Sequence, residues 1–492
     1  MERFLNQPGF MHASRLCAIF AVGALVAVSS INPAARAQNP ASSAKPVTAL
    51  FLSDIHFEPF SDPGKVAKLV ASPASEWRSI LTAPPSADQA DAFAKLQQTC
   101  HARGEDATSA LYESSLAAMK ADAPGARFIT VSGDLVAHVF DCKYHALIPA
   151  GTEDEYSALV TKTIEYVVLR LRETYPGIPL YVALGNNDSG CGDYKLDPQS
   201  EFLGSTGRAI TALLPAADRA AAQQSFAAGG NFSALLPEPI AHTRLLVLDD
   251  LFLSRRYQSC AGKPDSAPAQ NQLAWLKQQL DVARAAKDHV WVMAHIPPGV
   301  DPVSTAMHMR NVCSGQSPEV FLSSDDLPAL LAQYSDVIQL ALFGHTHMDE
   351  MRVIGNGAGK PVAAKLVASI SPINGNSPSF TVASVDPATA TLLDYRVFAA
   401  SGSTGVNTVW HEEYGFDKAY GVREFSSATI GKLVTGFKAD QAAESATSQQ
   451  YIRSYFGRDE STRLKPFWAQ YVCAVSGVTT ASYHSCLCGA AQ

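Results

Sequence analysis

Six short apolar runs, each broken off by Asp, Asn or His, constrain this chain more than any other feature. They are VTALFLSD (47–54), ARFITVSGD (126–134), LYVALGN (180–186), TRLLVLDD (243–250), HVWVMAH (289–295) and IQLALFGH (338–345). Short apolar runs closed by a polar residue or glycine read as buried strands. Between the second and third lies a well-marked helix. Thr152 and Glu155 have capping-box spacing, and Tyr156, Leu159, Val160, Thr163, Val167 and Leu171 share one face. Pro176-Gly177 stops it. A second amphipathic helix is predicted over 270–286. Strand–helix–strand alternation predicts an α/β domain.

After FGHTH (343–347) the texture changes. MRVIG (351–355), AAKLVASIS (363–371), FTVASVD (380–386) and TLLDYRVFA (391–399) follow as consecutive strands, which predicts a largely antiparallel second sheet. AASGSTGVNT (399–408) marks a boundary near residue 400. Residues 410–492 read as short helices carrying the last three cysteines. The 187–242 interval contains TALLPAADRAAAQQSFAA (211–228) and reads as a helical insertion over one end of the sheet.

The first segment is an address. Arg15 precedes the apolar run LCAIFAVGALVAV, and Ala35-Arg36-Ala37 offers small residues for cleavage before Gln38. The run is shorter than a membrane span needs, and no later stretch is long and apolar enough to be one. The expected product is exported, periplasmic or secreted, with no transmembrane anchor. Residues 1–37 are then a signal peptide and 38–46 a linker. A catalytic domain follows over 47–400, and a helical subdomain over 401–492. Cys17 leaves with the signal, and eight cysteines remain, an even number that suits disulfides. Their pairing stays open. Cys486 and Cys488 lack the second thiol pair of a zinc ribbon. A formal net charge of -8 and the lack of any basic run argue against a nucleic-acid-binding surface.

Open α/β sheets bind ligands at the carboxyl ends of their strands. Here those ends are Ser53-Asp54-Ile55-His56, Gly133-Asp134, Gly185-Asn186, Ala294-His295 and Gly344-His345-Thr346-His347. Singly, a Gly-Asp is turn chemistry and a buried His a core residue. Five such ends in this order make a convergent donor set. Imidazole, carboxylate and amide oxygen, with no thiolate, suit zinc, iron or manganese.

This ordered set resembles the binuclear metallophosphoesterase (calcineurin-like) superfamily. Within it, the match is closest to the acid sphingomyelinase-like phosphodiesterases. GDLVAH (133–138), HIPPGVD (295–301), FGHTHMDE (343–350) and SISPINGNSPSF (369–380) carry that narrower resemblance. GGNFSALLP (229–237), WHEEYGF, SYFGRD and the final cysteines add to it. The resemblance implies a four-layer α/β/β/α sandwich with a small C-terminal helical, disulfide-containing subdomain. It also implies two divalent metals about 3.5–4 Å apart, with zinc the first choice and manganese or iron the alternatives. Asp54, His56 and His347 would hold one metal, Asn186, His295 and His345 the other, and Asp134 would bridge. The implied reaction is hydrolysis of phosphoric esters by a metal-bridging hydroxide.

The chain departs from the family at one position. Gly-Asn is usually followed by a His thought to assist the leaving group, and Asn187 stands there. As a catalytic residue its amide could donate a hydrogen bond to a phosphoryl or leaving oxygen, but it cannot transfer a proton at neutral pH. His138, in GDLVAH, could serve as the general acid. Alternatively the substrate has a good leaving group, as in the endopolyphosphatase-like members of the superfamily. The expected substrate is thus a small phosphodiester, with a nucleotide or polyphosphate as the alternative. A binding protein without turnover is a third class. About ten residues separate cleavage site and first strand, which leaves no room for a saposin-like module and favours soluble substrates. Glu58, His145, Asp188, Asp193 and Asp301 are lesser candidates for the pocket. His411 and His484 read as structural.

Overall fold

A computed structural model of the chain describes residues 45–355, 360–401, 407–458 and 461–489. The expected signal peptide and nearly all of the linker lie outside these residues. Two six-stranded mixed sheets form the centre of the molecule. The strands are β1 (Val47–Leu52), β2 (Phe128–Ser132), β3 (Leu180–Ala183), β4 (Phe232–Leu235), β5 (Thr243–Val247) and β6 (His289–Met293). They continue with β7 (Ile338–Phe343), β8 (Glu350–Ile354), β9 (Val362–Leu366), β10 (Ser379–Val385), β11 (Leu392–Ser401) and β12 (Val409–Gly415). One sheet runs β12-β11-β10-β1-β2-β3 and the other β4-β5-β6-β7-β9-β8.

All six expected strands exist, and each sheet takes three of them in parallel: β1, β2 and β3 in one, β5, β6 and β7 in the other. Trp291 of β6 binds the two sheets together. Its ring lies 5.8 Å from Phe51 and 5.9 Å from Phe128, both in the first sheet, and its Nε1 donates to Ala390 O at 2.8 Å. Helices cover the outer faces. Ser109–Asp122 and Glu153–Thr174 pack together, where Tyr112 Oη donates to Val167 O at 2.8 Å. Ala267–Ala286 packs on β5 and β6, while Ser427–Ala439 and Trp468–Ser476 pack on the β8–β9 hairpin. The layers are therefore α/β/β/α, and the capping box at Thr152 and Glu155 is formed.

The four strands after FGHTH do not make a sheet of their own, contrary to the expectation above. β8 and β9 extend the sheet of β7, with β9 parallel to it, whereas β10 and β11 extend the sheet of β1. Every residue of β9, and all but one of β10, is buried. Strands buried on both faces need a neighbour along each edge, which the two existing sheets supply. The segment after residue 408 opens with strand β12, not a helix. Its sequence, VWHEEYG, has no apolar run because β12 is an edge strand in which only the last two residues are buried. The 187–242 interval is helical over Glu201–Thr211 and Arg219–Gly229 before β4.

All eight cysteines among the described residues pair: Cys100–Cys142, Cys191–Cys260, Cys313–Cys488 and Cys473–Cys486. The last two fasten the C-terminal helices to one another and to the turn at Val312–Ser314. No helix among the described residues is long and apolar enough to cross a membrane.

Candidate metal centre

The carboxyl ends of β1, β2, β3, β6 and β7 meet at one point, and their loops pack without space to spare. Asp54 N donates to Gly133 O at 2.9 Å, and Gly344 N to His295 O at 2.9 Å. A Cβ on residue 185 would stand 2.2 Å from Asp134 Oδ1, so only glycine lets these two turns touch. Five of the seven candidate ligands, Asp54, His56, Asp134, His345 and His347, have left-handed backbone. Non-glycine residues in that region cost of order 1–3 kcal/mol each and cluster at functional sites.

Asp134 is central. Its Oδ2 lies 3.4 Å from His56 Nε2 and 3.1 Å from His295 Nε2. Asp54 Oδ1 lies 3.7 Å from His56 Nε2 and 3.5 Å from His347 Nε2. The Nε2 atoms of His56 and His347 are 3.2 Å apart, and His345 Nδ1 is 3.3 Å from His295 Nε2. The convergence expected of six of the seven residues is present. The seventh, Asn186, sits in the turn next to Asp134 and Asn187. Its Oδ1 is buried and accepts no hydrogen bond, while its Nδ2 donates to Asp193 Oδ1 at 2.8 Å.

A surrounding set of partners aims these groups. His56 Nδ1 bonds Val136 O at 2.8 Å and His295 Nδ1 bonds Ser132 O at 2.7 Å. A carbonyl only accepts, so in each neutral ring Nε2 is left with a lone pair facing Asp134. Tyr194 Oη is 3.3 Å from His345 Nε2. Asn187 turns inward: its backbone N–H donates to Asp134 Oδ1 at 2.8 Å and its Nδ2 to Oδ2 at 2.9 Å. Asp188 accepts from the N–H groups of Leu135, Val136 and Gly185, tying two of the turns together.

The electrostatics are those of a cation site. Burial would lower His56, but Asp134 and Asp54 outweigh it and lift the ring to about 9. Burial is likewise outweighed at His295, which Asp134 raises to about 10. Burial, and then the neighbouring His295, push His345 down to about 3; burial drives His347 down to about 3 against the pull of Asp54. Burial would raise Asp54, yet His347, His56 and His295 hold it at about 2. Crowded imidazole nitrogens, two carboxylates and an amide oxygen without a donor are what a pair of divalent cations would satisfy, so the residues present fit such a pair.

His138 lies beside the centre. Its ring stacks on His56 with centroids 3.9 Å apart, and its nitrogens can also join those of His56 and His347 in one cluster. Asp106 accepts from the His138 backbone N–H at 2.8 Å and faces Nδ1 with both oxygens. Ser371 Oγ donates to Asp106 at 2.7 Å. Asp106 is a residue the sequence did not single out, since an isolated Asp in a loop carries no pattern. Tyr194, likewise missed, stacks under Arg256 at 3.9 Å.

The lesser candidates divide. Asp193 lines the cleft and Asp188 lies directly beneath the ligand loops. Asp301 also lines it, but its carboxylate caps the helix Pro302–Met307 through Ser304. Glu58 is fully buried against Lys143, and His145 faces Glu153 near the surface. The cleft over the centre encloses about 530 Å³. Tyr194, Arg256, Phe321 and Met307 line it, and the C-terminal helical segment adds Tyr455, Phe456, Arg463, Phe467 and Tyr471.

The family model for calcineurin-like phosphoesterases matches residues 47–349. The acid sphingomyelinase-like phosphodiesterase 3b of Homo sapiens is 26% identical over 399 residues, which covers 78% of this chain and 80% of that protein. Its counterpart in Mus musculus is 24% identical over 457 residues, covering 89% of each. The cyclic GMP-AMP phosphodiesterase SMPDL3A of Homo sapiens is 23% identical over 366 residues, covering 70% of this chain and 74% of that one. The matched span holds every turn that meets at Asp134. The chain therefore belongs to the calcineurin-like phosphoesterases, in their acid sphingomyelinase-like group, and is a metal-dependent phosphoester hydrolase.

Proposed function

We propose that the protein is an exported phosphodiesterase that holds two divalent cations, zinc by first preference. Asp54, His56 and His347 would hold one, Asn186, His295 and His345 the other, and Asp134 would serve both. The observation that carries this reading is Asp134 Oδ2, which reaches both His56 and His295 within 3.4 Å. The cations, when bound, supply an activated water and neutralise charge on the phosphoryl oxygens.

The remaining work falls to this chain's side chains. Asp106 accepts from Nδ1 of His138, so in the doubly protonated ring the Nε2 proton is the one that can pass to the departing alkoxide, leaving a neutral ring still held at Nδ1. Asn187 fixes the orientation of the Asp134 carboxylate through two hydrogen bonds and also lines the cleft. Asp193 keeps the Asn186 amide turned with its oxygen free. A cleft of about 530 Å³ suits a small phosphodiester or nucleotide. The phosphodiesterase names of the relatives support the reaction class. Four disulfides support export, since such bonds persist in oxidising compartments.

A metal assay with a substrate panel tests the reading. The panel is bis-p-nitrophenyl phosphate, nucleoside di- and triphosphates, polyphosphate and sphingomyelin. Two equivalents of metal and turnover of diesters are expected. Bound metal without turnover of any of them would make the protein a phosphate-ligand binder instead.

A further inference from the structure

The cleft is unevenly charged in a way the metal centre does not explain. Four carboxylates line it, and all four are committed. Asp134 belongs to the centre, Asp193 holds Asn186, Asp301 caps a helix, and Glu350 is paired with Arg352 at 3.2 Å. Three arginines line it too. Arg256 lies 3.7 Å from Asp193. Arg103 and Arg463 make no ion pair with any carboxylate among the described residues. What the cleft has left over is therefore cationic.

Both guanidinium groups lie by segments that are tied to Asp106, the partner of His138. Arg103 is three residues before Asp106, whose carboxylate grips His138. Its segment is tied to the helix that follows His138 by the Cys100–Cys142 disulfide, and Gln97 Nε2 holds Gly104 O at 2.9 Å. Ser371 also grips Asp106, and the loop that follows leads outward along the same wall. Ile373 packs on Gly104, Asn374 lines the cleft, and Gly375 lies under Arg463. Gly375 has φ +79, and a Cβ there would stand 3.0 Å from Arg463 Nη1, so the glycine admits the guanidinium. The Phe456 ring also contacts that group, with its centroid 4.6 Å away.

Resting on the reading that His138 serves the departing group, we infer that Arg103 and Arg463 form an anion subsite for a second phosphate carried by that group. The substrate then has two phosphates in series. The one nearer the cations is attacked, and the one beyond His138 is held by the two guanidinium groups. A planar guanidinium recognises phosphate oxygens through paired hydrogen bonds, and among the described residues neither arginine has a competing carboxylate. Nucleoside polyphosphates and terminally phosphorylated dinucleotides both have this chemistry. The C-terminal helical segment, through Arg463, thus sets which leaving groups the catalytic sheets accept.

The test compares Arg103→Gln and Arg463→Gln with the parent on three substrates: adenosine triphosphate, 5′-phosphorylated dithymidylate and bis-p-nitrophenyl phosphate. The readout is kcat/KM on each phosphate-bearing substrate divided by that on bis-p-nitrophenyl phosphate. Loss of a charged hydrogen-bond donor predicts a fall in this ratio of roughly 10-fold or more for each variant. A fall confined to the triphosphate identifies an anhydride as the natural class, and one confined to the dinucleotide identifies an ester. Arg463→Lys, which keeps the charge, should recover part of the loss. An unchanged ratio for both substrates overturns the subsite. Binding of α,β-methylene adenosine diphosphate by calorimetry decides the matter separately from turnover. Inertness of the parent on all three substrates would sink the hydrolase reading, while equal analogue affinity in parent and variants would sink the subsite.

Discussion

Both carboxylate oxygens of Asp106 face Nδ1 of His138, at 3.1 and 3.2 Å, and one of them also takes the His138 backbone N–H. Burial would raise Asp106, but His138 beside it outweighs that and holds the carboxyl well below its ordinary range. A charged, buried carboxylate of this kind fixes which ring nitrogen holds a proton. Asp106→Asn should lower kcat by roughly 10- to 100-fold, the usual effect of losing such an orienting partner. The loss should grow as the leaving alcohol becomes more basic, since proton donation matters most there. His138→Ala should lose far more on alkyl diesters than on anhydrides, and adding Asp106→Asn to it should cost little more. A leaving-group series measures both, and a loss independent of leaving-group basicity would remove His138 from proton transfer.

Asp193 occupies Nδ2 of Asn186, and the buried Oδ1 is left without a hydrogen-bond donor. Asp193→Ala lets the amide rotate and should weaken one of the two cation sites by roughly 10- to 100-fold. Metal content after dialysis against graded chelator should fall from two equivalents toward one, with the circular dichroism spectrum unchanged. Retention of both equivalents would show that Asp193 does not orient this ligand.

Cation binding should strengthen with pH. In the cation-free chain His56 and His295 are raised to about 9 and about 10, above the 6.5 of the unfolded chain. Their imidazolium–carboxylate pairs stabilise that form fully below about 6.5, and the contribution is lost as pH passes about 9 to 10. A cation has to displace these protons, so protons compete with it at low pH. The rise in melting temperature on adding manganese should therefore be larger at about pH 8.5 than at about pH 6. A rise independent of pH would mean that the rings are already proton-free.

What the sequence made legible follows a physical pattern. Strand ends such as Gly133-Asp134 and Gly344-His345 stand out because an apolar run stops abruptly at a donor. Sheet membership did not stand out, since a strand buried on both faces looks the same in either sheet; β9 and β10 went to different ones. β12 was hidden because an exposed edge strand needs no apolar run. Asp106 meets His138 across 32 residues of chain and Tyr194 meets His345 across 151, contacts that no local pattern announces. Asn187 was visible as a departure from the family pattern, yet its partner, Asp134, could be seen only in three dimensions.

The residues just after the His347 turn fasten the catalytic sheets to the C-terminal helices. Asp349 is buried against Lys365, accepts from Tyr414 Oη at 2.7 Å, and donates its backbone N–H to Tyr455 O at 3.0 Å. Glu350 accepts from Tyr455 Oη and from Arg352, whose other nitrogen reaches Pro298 O in the loop after His295. Removing one partner of a buried pair leaves an uncompensated charge, so Lys365→Met should cost about 3–5 kcal/mol. Replacing both, with Lys365→Met and Asp349→Leu together, should return most of that stability because no charge is left stranded. Urea unfolding of parent, single and double variants reads this out. Tyr455 and Phe456 line the cleft, so the single variant should also raise KM, since the helix that carries them loosens. A single variant as stable as the parent would show that this buried pair does not hold the C-terminal helices in place.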